Sequence, residues 1–180
     1  MKTYIALFRG INVGGNNVLP MKDLVALLGN MGSKNVRTYI QSGNAVFEHA
    51  EKNTSQLSRE IRATINEGHG FEPEVFVLEL AEIERAVRSN PFPEAESEPK
   101  TLHLYFLASE TNNPDLGVLE SIKSDEEQFA LKNGVFYLHA PEGIGRSKLA
   151  ANTEKVLGVA TTGRNWRTVR KVMAMANERS

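Results

Sequence analysis

The stretch QFALKNGVFYLHA, Gln128–Ala140, decides the fold. Two apolar runs flank Asn133-Gly134, and Asn-Gly between such runs is the strongest short-range signal for a β-hairpin. Working outward, Thr101–Leu107 reads as a strand. Pro114 then opens a helix carrying Leu116, Leu119 and Ile122. After the hairpin, Leu149, Val156 and Leu157 mark a helix stopped by Gly158, and Val159–Thr161 supplies a short last strand. A final helix carries Trp166, Val169, Val172 or Met173, and Ala176, with Asn165 as its cap.

The same order precedes it. Lys2–Phe8 is a strand, and Met21, Leu24 and Leu27 or Leu28 are helical in spacing. Val36–Ile40 and Ala45–Glu48 form a hairpin about the turn QSGN. Leu57, Ile61 and Ile65 follow a Thr54 or Ser55 cap, and Glu74–Leu78 is a strand. A short helix at Leu80, Ile83 and Val87 then leads into NPFPEAESEP, which reads as a linker or surface loop. The element order is therefore βαββαβ twice, the split-βαβ, ferredoxin-like plan, with a C-terminal helix. The expected class is α+β, with halves at residues 1–92 and 93–180. Each half buries one sheet face under two helices, leaving the other faces to pack together or to bind.

The 180 residues are 41 % hydrophobic and 24 % charged, a composition of folded rather than disordered chains. No apolar run reaches membrane-spanning length, and the N-terminus lacks a signal-peptide cleavage pattern, so a cytoplasmic location is expected. The chain has no cysteine, which excludes disulfides and thiolate chemistry. The four histidines show no metal-ligand spacing. No metal site and no cofactor are nominated.

Four stretches carry candidate chemistry. RGINVGGNN, from Arg9, lacks G-x-G-x-x-G. It has P-loop glycine spacing but Asn16-Asn17 in place of Lys-Ser/Thr, so nucleotide hydrolysis is not expected. Its length and polarity suggest an anion loop using Arg9, Asn12, Gly14 and Gly15; the alternative is a connection whose asparagines satisfy their own backbone. In RTYIQSGN, Gln41, Ser42 and Asn44 are candidate polar ligands at a strand end, or simply hairpin residues. In APEGIGRSKL, Arg146, Ser147 and Lys148 begin a helix, where the macrodipole disfavours cations unless an anion binds. In TGRNWRT, Arg164 and Arg167 can clamp a phosphate or carboxylate, and Trp166 either stacks a base or fills the core, the latter being preferred. Glu126-Glu127 look like solvated charges. His139 and Tyr39 are the weak nominees for a catalytic base, and no catalytic residue is assigned.

Taken together, RGINVGG, VRTYIQSGNAVF, YLHAPEGIGRSKLA and RNWRTV resemble the bacterial domain-of-unknown-function family sixteen-ninety-seven across nearly the whole chain. The resemblance implies two tandem ferredoxin-like, α/β-plait halves and no activity. Members commonly carry a basic residue after RGINVGG; Asn16 stands there in this chain.

The function expected from these residues is binding of a small anionic or phosphate-bearing molecule. The first loop and GIGRSK would face one shared cleft between the halves. The alternatives are an enzyme acting on such a ligand and a nucleic-acid-binding module using the basic C-terminal region. A net charge of −1 argues against nucleic acid, and no membrane partner is expected.

Overall fold

The computed structural model describes residues 1–178. The strands are β1 (Lys2–Arg9), β2 (Lys34–Tyr39), β3 (Asn44–His49), β4 (Glu74–Glu79), β5 (Leu102–Leu107), β6 (Gln128–Lys132), β7 (Val135–His139) and β8 (Thr161–Asn165). The helices are α1 (Met21–Asn30), α2 (Thr54–His69), α3 (Leu80–Arg88), α4 (Leu116–Ile122), α5 (Lys148–Leu157) and α6 (Trp166–Asn177). The strands form two four-stranded antiparallel sheets of order β2-β3-β1-β4 and β6-β7-β5-β8. That is the βαββαβ plan, twice.

The chain divides into two compact units, residues 1–84 with 171–180, and residues 85–170. In the first, Tyr4, Ala6 and Phe8 of β1 pack with Ala45, Phe47, Val75 and Val77 against Leu24 and Leu28 of α1 and Leu57, Ile61 and Ile65 of α2. Ile5 and Leu7 alternate with these and are equally buried. The continuous apolar run TYIALF is the signature of a strand buried on both faces. β1 therefore offers no open sheet face. In β5, Leu102, Leu104 and Phe106 are buried on one face, while on the other Tyr105 and Leu107 are partly buried against the core of that unit.

Several local expectations shift. The cap of α2 is Asn53, whose side chain accepts the Gln56 N–H, rather than Thr54 or Ser55. α4 starts at Leu116, two residues after Pro114, with Asp115 as its cap. The segment read as a linker contains a 3-10 turn at Pro93–Ser97 and buries Phe92 and Ala95. β8 begins where the expected strand ended. Gly163 and Asn165 disguised it, yet a Cβ at Gly163 would sit 2.9 Å from the Tyr105 ring, so glycine is what the cross-strand contact requires.

His103 of β5 is buried, and its Nε2 has no partner among the described residues. Burial disfavours the imidazolium and pushes the pKa below 6.5, outweighing a hydrogen bond with the Lys100 backbone. The unfolded chain therefore takes up this proton first as pH falls. Stability from this group is full above about pH 6.5 and is lost below it, down to the depressed folded value. Urea melts at neutral and mildly acidic pH should show a larger acid loss in the native protein than in His103→Phe. An equal loss would mean that His103 does not contribute.

Candidate functional site

In the first unit, two of the motif loops meet. The connection Gly10–Pro20 folds on itself: the Asn12 N–H donates to the Asn17 carbonyl at 3.1 Å, and the Asn16 N–H donates to Val13 at 3.0 Å. Gly14 and Gly15 form its tip with φ of 58° and 75°, the positive pair that a type I′ turn needs. The Asn12 amide donates to the carbonyls of Leu19 at 2.9 Å and Gln41 at 2.8 Å, and its Oδ1 accepts the Leu19 N–H at 2.8 Å. Asn17 donates to the Gly10 carbonyl at 3.0 Å. The Asn12 and Asn17 side chains thus brace the loop and tie it to the β2–β3 turn.

In that turn Asn44 is fully buried and donates to the Tyr39 carbonyl at 3.0 Å. Gln41 and Ser42 are exposed. Arg9 is exposed at the end of β1, opposite Glu74 of β4 in register. Val13, Val18 and Ile40 are exposed apolar side chains on these loops.

In the second unit, the turn before α5 is closed by the Gly143 N–H on the Ala140 carbonyl at 2.9 Å and the Ser147 N–H on Ile144 at 3.2 Å. The Ser147 hydroxyl accepts the Ala150 N–H at 3.0 Å and is the helix cap. Arg146 and Lys148, on either side of that cap, are exposed. They line a cavity of about 650 Å³ together with Gly143, Gly145, Lys123, Glu126, Glu127 and Glu142 among others. The α4–β6 connection supplies one wall and the turn before α5 another.

Glu127 corrects the sequence reading. It is 6 % exposed, and its carboxylate accepts the Ser124 N–H at 2.9 Å. The S-x-x-E spacing of Ser124 to Glu127 was the available signal. Lys123, Ser124, Glu126 and Glu142 lacked any, because only the packing of the α4–β6 connection brings them to this cavity.

Arg164 turns back on its own strand, donating to the Thr162 hydroxyl and the Gly163 carbonyl, both at 2.9 Å. Burial pushes its guanidinium down to about 10, so it stays charged at neutral pH. Trp166 is 4 % exposed, with the Arg170 guanidinium 6.0 Å from its ring centre. Neither Arg164 nor Trp166 lines the cavity. His139 and Tyr39 do not line it either, although His139 Nδ1 has no partner among the described residues. No group of metal-ligating side chains occurs among the described residues, and no described helix is long and apolar enough to cross a membrane.

The model of the family described as "Protein of unknown function (DUF1697)" matches residues 1–137. The chain belongs to this DUF1697 family. A solved structure, described as that of conserved bacterial protein SP0830 from Streptococcus pneumoniae, is similar over 98 % of this chain and 99 % of that one. The two share 26 % identity with a TM-score of 0.68. No curated protein matches. The family match covers the opening loop and the first hairpin and ends within β7 of the second, and the solved structure shares the fold of both halves.

Proposed function

We propose that this DUF1697 protein binds a small anionic, phosphate-bearing ligand, received by the cavity before α5. The observation that carries the reading is the position of Arg146 and Lys148. They flank the cap of a helix whose macrodipole opposes cations, and they face one cavity. An anion there gains from both side chains and from the helix terminus.

A thermal-shift screen of phosphorylated metabolites tests this. A ligand at 100 times its dissociation constant should add ~2.7 kcal/mol of stability. Arg146→Ala should then weaken that ligand about tenfold or more, since a charge-assisted hydrogen bond contributes ~1.5–3 kcal/mol. Its circular dichroism and melting should stay within ~0.5 kcal/mol of the parent, as for surface changes generally. Unchanged affinity in Arg146→Ala would reject this cavity. Arg9→Ala tests whether the opening loop serves the same ligand.

A second reading, nucleic-acid binding, draws on the exposed Arg167, Arg170 and Lys171 of α6. Burial of Trp166 withdraws the chain's one tryptophan from base stacking, which places this reading second. Steeply salt-dependent binding of mixed oligonucleotides would promote it.

A further inference from the structure

The edge strands of the two sheets are β2, β4, β6 and β8. An edge presents a row of backbone donors and acceptors to which another strand can add, and most edges carry a guard against this. β2 breaks register with β3 between Lys34 and Arg37, where Asn35 has a φ of 53°. In β4 the Val75 carbonyl accepts the Ser58 hydroxyl of α2 at 2.6 Å. β4 also carries a glutamate at each end, Glu74 and Glu79, so antiparallel pairing with its own copy opposes like charges. In β8 the Thr161 N–H donates to Glu154 and the Gly163 carbonyl accepts from the Arg164 guanidinium, both at 2.9 Å. β6 has none of these guards. Its sequence QFALK pairs with β7 in unbroken register, and its three central residues are apolar. Among the described residues, no side chain hydrogen-bonds to its backbone.

Asn133 and Gly134 have φ of 52° and 75°, the type I′ turn that makes the flanking Lys132 and Val135 a hydrogen-bonded pair. Alternation along the ladder directs the backbone of Ala130 and Gln128 to β7 as well, and turns the N–H and C=O of Phe129 and Leu131 outward. We propose that β6 is a self-association edge: two copies of this chain pair antiparallel through Gln128–Lys132, joining their second sheets into one. Overlap of the whole strand sets Phe129 opposite Leu131 of the second copy, and Ala130 opposite its own equivalent on the two-fold axis. Phe129 and Leu131 already rest on the core of their unit, with the Phe129 ring stacked 5.5 Å from that of Phe136, yet both stay partly exposed. Opposed across the axis, they bury more of that area together. The charges at the two ends match the same register. Lys132 closes one end, the exposed Asp125-Glu126 turn precedes the other, and none of the three is in an ion pair among the described residues. An antiparallel copy brings each lysine to the other copy's acidic turn, whereas a parallel one would set lysine beside lysine. This pairing goes beyond the anion reading and stands without it.

Sedimentation equilibrium of the full chain, from micromolar concentration to about 1 mM, should show a monomer–dimer equilibrium. The register supplies a sharper readout. Ala130 and its equivalent form a non-hydrogen-bonded pair, with Cα atoms about 4.5 Å apart, within disulfide reach. The chain has no cysteine, so Ala130→Cys should oxidise to a covalent dimer. Lys132→Cys sets its two Cα atoms roughly 13 Å apart and should form no covalent dimer under the same oxidant, although the position is more exposed. Lys132→Glu should weaken association about tenfold, and adding Asp125→Lys and Glu126→Lys should restore it. If Ala130→Cys does not fold, this charge exchange at exposed positions decides. A monomer at every concentration overturns the proposal. So does a dimer in which folded Ala130→Cys fails to cross-link, one in which Lys132→Cys cross-links as readily, or one indifferent to the charge exchange.

Discussion

Trp166→Ala should lower the unfolding free energy by ~3–5 kcal/mol, the range for truncating a large aromatic in a core. Trp166 begins α6 and is 4 % exposed, on a stripe continued by the buried Val169 and Val172. Against a typical total of ~5–15 kcal/mol, that loss is a large share. At ~2–4 °C per kcal/mol for a chain of this size, it corresponds to a melting shift of roughly 6–20 °C. Two contributions can be separated. The Arg170 guanidinium beside the ring adds only ~0.5–1 kcal/mol if it acts as a cation–π partner, so Arg170→Ala should cost less than ~1 kcal/mol. Burial of the ring is the dominant effect. Urea melts of both variants measure the difference. A near-zero loss for Trp166→Ala would mean that the indole is exposed in solution and would revive its use as a stacking platform.

Gly43→Ala is expected to be nearly as damaging, for two reasons that add. Gly43 has a φ of 90°, where a Cβ is strained by ~1–3 kcal/mol. A Cβ there would also lie 2.7 Å from both Phe8 Cβ and Ile11 Cδ1. The isoleucine tip can move. Phe8 Cβ cannot, because β1 is hydrogen-bonded on both sides and the Phe8 N–H donates to the Gly43 carbonyl at 2.9 Å. Overpacking of this kind costs a further ~1–3 kcal/mol. The control is Gly134→Ala. Its φ is 75°, but nothing lies within 4 Å of the added carbon, so only the left-handed cost of ~1–2 kcal/mol applies. If the two glycines prove equally tolerant in chemical denaturation, the close approach of the β2–β3 turn to β1 does not exist.

Those two glycines also show what could be read in advance. Both mark hairpins, and both hairpins form. Local spacing was sufficient for Leu57, Ile61 and Ile65, for the Ser147 and Asn165 caps, and for the stop at Gly158, because each depends on neighbours within a few residues. Nothing in the QSGN turn announced that Gly43 is pressed against Phe8, residues that come together only when β3 pairs with β1.

The candidate site divides in the same way. The glycines and cations of GIGRSK were legible, since a cation at a helix start is a local contradiction. The destination of the Asn12 amide was not. A loop asparagine has the same chemistry whether it holds a ligand or a backbone carbonyl, and the choice fell to Leu19 and Gln41 once the β2–β3 turn arrived beside the loop. Glu127 carried a local mark, its S-x-x-E spacing to Ser124, but not that its carboxylate would be covered, which packing decides. By itself the sequence determined the elements, their order, the hairpins and the caps of the last two helices, since periodicity and turn chemistry act over a few residues. The tertiary structure alone decided which polar groups are consumed and which line a cavity, because a side chain's partner is set by chain segments distant in sequence.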